Sequence, residues 1–304
     1  MRSEFEKKYD HSGSPEWRFM YLITNRETEE AVSLFNDSAR HGDDEINVNT
    51  PWGVFYGKDE IRKMADTWYD TLHCIHAYAV PVTSTISGGR AVTEMVIHCR
   101  NLGGKEYNVP MAAVCDLTAD NKMDALRLYM HWKALPDLPA YRAPLFKDAG
   151  DNTLRHEMLS GSVRDYFVYL HDPSRDIASF ADHIYANDFR FAGYDNEGVL
   201  IHRDTDAVKF EHGIQKSVGT LVLLRIETII DDGHLCCVEW EQVVTPAGKE
   251  AGRLSQAGCS FYERDETGRI VSARVIDYAN SEPYIDWSKE TVTKEEAQKI
   301  HYLG

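Results

Sequence analysis

The sequence predicts an α+β protein made of two tandem copies of one domain, and three observations support this. The chain has 304 residues, about twice the length of a usual domain, and 43% of them are hydrophobic. Segments of the two halves match at nearly constant offsets. In each half, helical spacing comes first and strand-like segments follow. We therefore expect one domain over residues 1–147 and a second over residues 148–304.

The internal match consists of short similar segments in the same order. Three pairs carry it: residues 91–94 with 236–239, residues 104–106 with 248–250, and residues 126–128 with 273–275. Cys115 also matches Cys259, at the offset of the second pair. A proline-rich segment, residues 134–151, lies between the halves and is typical of a connector.

Apolar spacing locates the helices and strands. Helical spacing occurs at residues 31–38 and 59–68 in the first half and at 177–184 in the second. Strand-like segments bounded by turn residues are 76–85, 91–100, 107–117, 123–132, 220–230, 235–244, 253–263 and 270–278. In each half they predict an antiparallel meander. A capping-box pattern at Thr293 and Glu296 predicts a C-terminal tail helix over residues 291–302.

Composition argues against several kinds of partner. The formal charge is −16, which repels phosphate backbones, so we expect no nucleic acid partner. The sequence has no run of 18 apolar residues, and its charged N-terminus lacks the apolar core of a secretion signal. We therefore expect no membrane partner and a cytoplasmic location. The six cysteines show no C-x-x-C pair, which is typical of reduced, buried thiols.

A turn-plus-helix motif identifies a family resemblance. Residues 47–61, followed by the helix that contains Trp68, resemble the SnoaL-like and ketosteroid-isomerase-like families of the nuclear transport factor 2-like superfamily. The resemblance implies two tandem cone-shaped α+β barrels, each a curved antiparallel sheet closed by helices around an apolar pocket. Sheets of this group commonly pair, so it also implies intrachain domain pairing and leaves a homo-oligomer open.

The chain departs from the ketosteroid isomerases at both of their pocket acids. Those enzymes carry an Asp base immediately before the Pro of this turn, where this chain has Thr50. Their second acid lies two residues after a Pro in the next-to-last strand, which corresponds to Ala112. We therefore do not expect steroid isomerisation by that mechanism. Related dehydratases, cyclases and epoxide hydrolases use other pocket positions.

Two strand glutamates are the main candidates for catalysis. Glu94 and Glu239 match in the two halves, and alternation along the strands puts His98 beside the first and Glu241 beside the second. By the resemblance, this face lines the pocket, where desolvation raises the pKa of a carboxyl group toward neutrality. The alternative is that both glutamates face solvent or pair with two arginines of the last strands, Arg127 and Arg274.

Tyrosines and histidines complete the candidate catalytic set. Tyr21 and Tyr169 match on the first helix of each half, and a helix-borne phenol can stabilise an enolate oxygen. The resemblance places a proton-transferring histidine near His73 or His76, and Asp277 is a further candidate acid. Candidate substrate-binding residues are Thr50, Trp52, His131, Tyr166, Tyr194 and Trp240. For the histidines and tyrosines, ordinary core packing or hydrogen bonding is the alternative.

The function expected from these residues is acid–base catalysis without a cofactor. His73 and His76 would face opposite sides of a strand, so we expect no metal site, and nucleotide-binding and hydrolase motifs are absent from the sequence. The resemblance implies a lyase or isomerase, of the dehydratase or double-bond isomerase type, acting on a small apolar cyclic or polyketide-like substrate. An epoxide-opening hydrolase or cyclase and a non-catalytic ligand-binding or scaffold protein remain alternatives.

Overall fold

The chain divides into two compact units, Met1–Pro139 and Ala140–Gly304. The computed structural model describes residues 14–37, 45–131, 135, 142–143, 145, 158–171, 181–194, 199–203, 207–208, 219–246 and 254–279. The predicted boundary at residue 147 and the predicted tail helix over residues 291–302 lie outside the described residues, so both remain predictions. The pairing of the two domains likewise remains a prediction.

Unit 1 contains four helices and six strands among its described residues. The helices are α1 (Pro15–Thr24), α2 (Thr28–Val32), α3 (Gly57–Asp66) and α4 (Trp68–Thr71). The strands are β1 (Asn47–Thr50), β2 (Gly53–Tyr56), β3 (His76–Ser87), β4 (Arg90–Arg100), β5 (Glu106–Leu117) and β6 (Met123–Tyr129). The helix predicted over residues 31–38 is shorter than expected, because Phe35 leaves it to form a bridge with Met123.

Unit 2 repeats this order of elements. Its named helices are α5 (Gly161–His171) and α6 (Ala181–Ile184). Its strands are β7 (Tyr185–Tyr194), β8 (Val199–Arg203), β9 (Gly219–Asp231), β10 (Leu235–Pro246), β11 (Leu254–Arg264) and β12 (Ile270–Ala279). All eight predicted strands are present with ends within three residues of the prediction, whereas β1, β2, β7 and β8 were not predicted.

The two sheets have the same strand order. In unit 1 the order is β2-β1-β6-β5-β4-β3, and in unit 2 it is β8-β7-β12-β11-β10-β9. The first strand pairs parallel to the last in each sheet, and the other neighbours pair antiparallel. The prediction of purely antiparallel sheets is therefore wrong, because the unpredicted strands add one parallel pair to each meander.

Strand pairing also matches residue by residue. Glu94 lies opposite Thr83 in unit 1, and Glu239 lies opposite Thr228 in unit 2, both at an offset of 145 residues (239 − 94 and 228 − 83). Along the last two strands of each sheet the offset is 147 residues. The pair Ala112 and Tyr129 in unit 1 corresponds to the pair Cys259 and Ile276 in unit 2 (259 − 112 and 276 − 129). We call this correspondence of paired residues the register match.

The register match corrects one pair from the sequence comparison. Cys115 corresponds to Tyr262 (offset 147), whereas the sequence comparison matched Cys115 with Cys259. The offset changes from 145 to 147 between the second and third strands of each meander, so the loop that joins them is two residues longer in unit 2. The sequence comparison used an offset of 144 at Cys115, three residues short of the register match, and an odd shift puts Cys259 on the opposite face of the sheet from Tyr262.

Candidate acid–base site

The helices of unit 1 pack on one face of its sheet, and that face decides where an enclosed site can lie. On β4, Ala91, Met95 and Ile97 belong to the same hydrophobic core as the helices. Because side chains alternate along a strand, Glu94 and His98 lie on the opposite face. We call the first face the helix side and the second the outer side. The expectation that Glu94 and His98 line the space closed by the helices is therefore not met.

Unit 2 has the same arrangement. Cys236, Val238 and Trp240 of β10 pack in the core formed with α5, so Glu239 and Glu241 lie on the outer side. The prediction that the paired glutamates share one face is thus consistent with the structure, but that face is opposite the one on which the described helix α5 packs. Sequence alternation gives the two faces of a strand, and only the packing of the helices tells which one is enclosed.

The helix side of unit 1 contains a carboxyl group that the sequence analysis missed. Glu16, in the first turn of α1, is 0% exposed. Its Oε1 accepts hydrogen bonds from Thr93 Oγ1 of β4 at 2.7 Å and from Ser14 Oγ. Its Oε2 accepts a hydrogen bond from the Cys115 thiol of β5, with an Sγ–Oε2 distance of 3.6 Å. Ser84 Oγ lies 3.1 Å from Thr93 Oγ1 and extends the network to β3.

Burial controls the acidity of this group. Desolvation raises the pKa of Glu16 above its usual value of 4.5, and the hydrogen bonds from Ser14, Thr93 and Cys115 counteract this only in part. Burial, reinforced by the nearby Glu16 charge, also raises the pKa of the Cys115 thiol well above 9.0. The cluster therefore combines a carboxyl group of raised proton affinity with a thiol that keeps its proton, an arrangement suited to holding or moving one proton.

A weak signal in the sequence marks Glu16. A glutamate directly after Pro15 normally indicates the exposed first turn of a helix, where its charge complements the helix dipole. The neighbouring pattern says more: Phe19, Met20 and Ile23 are buried, and Glu16 lies three and four residues before the first two. Helical spacing therefore puts Glu16 on the buried stripe of α1.

The same stripe explains why the predicted role of Tyr21 is wrong. Tyr21 is 49% exposed, and its ring lies 6.2 Å from that of Trp17, also on the outward part of α1. Phe19, Met20 and Ile23 occupy the inward positions. The Tyr21 phenol therefore does not point into the space between the helices and the sheet.

The other candidates of unit 1 are spread over the outer side and the turns. Glu94 is buried and accepts a hydrogen bond from Thr83 Oγ1 at 3.1 Å. The His98 ring stacks on the exposed Tyr78 ring, with 4.8 Å between their centroids. His131 is buried and follows the end of β6 by two residues. Glu94 and His98 thus share a face, as predicted, but each has its own partner.

The remaining predicted side chains of unit 1 lie on turns or at strand ends. His73, with a φ of 53°, and His76 are both exposed, which argues against their predicted role in an enclosed site. Thr50 Oγ1 donates to the Gly53 carbonyl at 2.8 Å and closes the turn between β1 and β2. Trp52, on that turn, is half-buried against the core, as expected for a residue at the edge of an enclosed site.

The outer side of unit 2 carries a buried charge cluster. Glu239 is 0% exposed, and Glu241 is buried with its Oε2 3.6 Å from Arg225 Nη1. Arg225 Nη2 also lies 2.5 Å from Glu227 Oε1. The alternative pairing partners proposed for the strand glutamates, Arg127 and Arg274, have other acids instead.

Those arginines form equivalent ion pairs in the two units. Arg127 lies 2.7 Å from Asp116, and Arg274 lies 3.1 Å from Glu263, at positions that match in register. Burial opposes ionisation of Asp116, but the guanidinium groups of Arg127 and Arg90 outweigh it and lower the pKa of Asp116 to about 2. These ion pairs join neighbouring strands and leave the strand glutamates to other contacts.

The helix side of unit 2 is largely aromatic. Tyr166, predicted to bind substrate, is buried among aromatic rings, with its centroid 5.6 Å from that of Tyr262. Trp240 Nε1 donates to Ser260 Oγ at 2.7 Å. Asp277 is half-buried on β12, where alternation with Ala273 puts it on the helix side.

Two further predicted residues of unit 2 are less informative. Tyr169 is half-buried on α5, one turn beyond the enclosed Tyr166. Tyr194 ends β7, and its side chain lies outside the described residues.

Within the described ranges, no group of three or more His, Cys, Asp or Glu side chains is arranged to hold a metal ion. No helix in the same ranges is long and apolar enough to cross a membrane.

Comparison with known proteins gives structural matches only. No protein-family model matches the chain, and no curated protein matches it. An NTF2-like protein of unknown function from an Exiguobacterium species matches with 15% identity and a TM-score of 0.31, covering 38% of this chain and 97% of that one. An NTF2-like protein from Anabaena variabilis matches with 17% identity and a TM-score of 0.32, covering 43% and 92%.

A third match is SalBIII, an epoxide hydrolase/cyclase-like enzyme with a role in pyran ring formation in the polyether salinomycin. It has 13% identity and a TM-score of 0.31, and the match covers 38% of this chain and 88% of SalBIII. Two of these three solved structures are described as NTF2-like, the group that the motif at residues 47–61 resembles. Each of them corresponds to less than half of this chain.

Proposed function

We propose that unit 1 moves a proton next to the carbonyl group of a small, largely apolar cyclic or polyketide-like molecule, without a cofactor. This is the chemistry of a dehydratase or double-bond isomerase. One observation carries the proposal, which is that Glu16 is fully buried on the helix side and has a raised pKa. A carboxylate of raised proton affinity is a better general base near neutral pH than an exposed one.

In this mechanism Glu16 is the residue that accepts and returns the proton. Its carboxylate takes a proton from the carbon next to the carbonyl group, and the electron pair of the broken C–H bond passes to the carbonyl oxygen as an enolate. Return of that proton to a conjugated carbon completes an isomerisation. Replacement of the proton on Glu16 by one from solvent, before its return to the original carbon, completes an exchange. Thr93 and Ser14 hold Oε1, so Oε2, beside Cys115, is the oxygen we assign to proton transfer.

Access to Glu16 requires side chains at the edge of the core to move. Trp17, the next residue of α1, and Trp52, on the turn between β1 and β2, are half-buried against that core. We assign the entry route to this edge. We also propose that the two units are copies of one cone-shaped domain, because their strand orders and pairing registers agree.

A ligand-binding role without catalysis is the second candidate. Two observations support it: Thr50 replaces the isomerase base and uses its hydroxyl in a turn, and Ala112 lies on the outer side. An epoxide-opening hydrolase or cyclase would use the same buried acid with a ring oxygen in place of the carbonyl group. The three candidate functions differ in what the protein does to a ketone and to an epoxide, so these two probe molecules separate them.

Hydrogen–deuterium exchange at carbon tests the proposal. The protein is incubated in D₂O with 1-tetralone, and loss of the signal from the hydrogens next to its carbonyl group is followed by NMR. We expect Glu16→Gln to slow enzyme-dependent exchange at least about 100-fold, the lower end of a general base's contribution. Glu94→Gln and Glu239→Gln are matched controls on the outer side, and we expect exchange within about twofold of wild type for both.

Each outcome has a defined meaning. Full exchange activity in Glu16→Gln would overturn the assignment of the base. Loss of exchange in Glu94→Gln, with Glu16→Gln unaffected, would return the site to the outer side. If the wild-type protein binds 1-tetralone without exchange, the ligand-binding role is correct. If it opens styrene oxide but leaves the ketone unchanged, the hydrolase reaction is correct.

A further inference from the structure

A buried indole in unit 1 has no hydrogen-bond acceptor among the described residues. Trp68, the first residue of α4, is 0% exposed and belongs to the hydrophobic core of unit 1. Its ring lies 5.6 Å from that of half-buried Trp52, at an angle of 58°. Among the described residues, none accepts a hydrogen bond from Trp68 Nε1. The indole N–H only donates, so it needs an acceptor.

An unpaired buried donor is unusual and costly. Most buried polar side-chain atoms have a hydrogen-bond partner, and a buried donor without one keeps the full penalty of its desolvation. Trp240 shows the ordinary solution in unit 2, since its Nε1 donates to Ser260 Oγ at 2.7 Å. A phenylalanine at position 68 would keep an aromatic core contact without that penalty. An acceptor other than the described residues would satisfy the N–H of Trp68.

We propose that Trp68 Nε1 binds the carbonyl oxygen of a small neutral ketone inside unit 1. The surroundings define the ligand class: the core around Trp68 is apolar, which favours an apolar body and penalises a charged group. The donor requires an acceptor atom, and a carbonyl oxygen supplies it without a proton of its own to satisfy. Trp52, half-buried on the neighbouring turn, provides an aromatic surface beside this position.

This inference rests on the proposed function, because the same carbonyl group would acidify the carbon from which Glu16 takes the proton. A hydrogen bond from Trp68 would stabilise the negative charge that develops on that oxygen. Trp68 is therefore a substrate-binding group, and its contribution can be measured by binding alone.

The direct test uses the indole N–H signals of ¹⁵N-labelled wild-type protein. We expect 1-tetralone to shift the Trp68 Nε1–H signal downfield, as a new hydrogen bond does, and to leave the Trp240 signal unchanged. Tetralin has the same ring system without the oxygen, and we expect it to cause no downfield shift. A Trp68 signal that is downfield before ligand and does not respond to 1-tetralone would identify a bound water and overturn the proposal.

Variants provide the second test. We expect Trp68→Phe to weaken 1-tetralone binding about tenfold, the effect of one hydrogen bond, and tetralin binding less than twofold. Trp240→Phe removes the same atoms from unit 2 and should leave both affinities unchanged. Equal affinity of Trp68→Phe and wild type for 1-tetralone would overturn the proposal. If Trp68→Phe does not fold, the wild-type indole signals still decide.

The two proposals fail independently. If Glu16→Gln loses exchange while the Trp68 signal ignores 1-tetralone, the carbonyl contact is wrong and the base is right. If the Trp68 signal shifts while Glu16→Gln exchanges normally, the contact is right and the base is wrong.

Discussion

The helix sides of the two units share one framework and differ in what they enclose. In unit 1, Thr93 and Cys115 meet the carboxyl group of Glu16. The positions that match Thr93 and Cys115 in register are Val238 and Tyr262 in unit 2, which pack in the aromatic core around α5. A polar network in one unit thus corresponds to apolar contacts in the other. Among the described residues, the hydrogen-bonded carboxyl group of Glu16 therefore distinguishes the helix side of unit 1 from the matching positions of unit 2.

The tryptophans sharpen this contrast. Trp240 lies over Gly258 and is hydrogen-bonded, and the matching pair in unit 1 is Met95 with Met111. Unit 2 thus fills its helix side with a large ring that is fully paired. Unit 1 has a flexible methionine pair there, and elsewhere in its core the Trp68 indole has no hydrogen-bond acceptor among the described residues. An interior with unpaired polar groups and adaptable side chains is the one suited to a ligand.

On the outer side, unit 2 has the charged groups and unit 1 has apolar residues at the matching positions. The ion pair of Arg225 and Glu241 in unit 2 matches Val80 and Val96 in unit 1, which are also paired across neighbouring strands. Both units have a β-bulge at the same register position. In unit 1 it lies between Pro81 and Thr83, and in unit 2 it lies opposite Glu239 and Trp240. The charge cluster is therefore an addition to a shared framework and can be replaced by the residues of the other unit.

The largest effect is expected from breaking that cluster. Glu241→Val removes one acidic partner of the buried Arg225, and we expect the free energy of unfolding to fall by about 3 kcal/mol. The triple change Arg225→Val, Glu227→Val and Glu241→Val installs the residues that unit 1 has at these positions, and we expect stability within about 1 kcal/mol of wild type. Urea unfolding measures both.

A triple variant much less stable than Glu241→Val would contradict this comparison, since it would mean that the frameworks are not interchangeable at the outer side. Val80→Ala in unit 1 is a useful reference, because it measures the loss of ordinary apolar packing at the matching position without any change of charge.

The next effect concerns the ring of Trp240. A Cβ atom at Gly258 would overlap Trp240 Cζ2, and the hydrogen bond to Ser260 prevents the ring from moving away. We expect Gly258→Ala to reduce the free energy of unfolding by about 2 kcal/mol. Adding Trp240→Phe should recover part of this loss, as a double-mutant cycle would show. Gly103→Ala, at an exposed turn, is the control and should change stability by less than about 0.5 kcal/mol.

The strands of both meanders could be predicted from the sequence because alternation and turn residues are local signals. It missed β1 and β7 because each pairs with the last strand of its sheet, a contact that depends on chain topology. It also assigned Glu94 to the enclosed face, since alternation defines two faces without saying which one the helices cover. Glu16 was missed because acids at a helix start are usually exposed, and its burial depends on Thr93, 77 residues along the chain.

The smallest effect has the most specific signature, and it concerns Glu16 itself. Its pKa is raised in the folded protein, mainly by desolvation, above the usual 4.5 that applies to the unfolded chain. The folded protein therefore binds this proton more tightly, and that stabilisation is complete below about pH 4.5 and is lost as pH rises through the raised pKa. Glu16→Gln has no proton to lose.

We therefore expect Glu16→Gln to gain stability relative to wild type as the pH is raised from 4 to 8, because only the wild-type protein must then keep a buried carboxylate charge. Urea unfolding at each pH measures the difference, and Glu94→Gln on the outer side is the matched control. A constant difference between Glu16→Gln and wild type across this range would show that Glu16 has an ordinary pKa. Unit 1 would then enclose no poised acid, and its helix side would resemble that of unit 2 in chemistry as well as in framework.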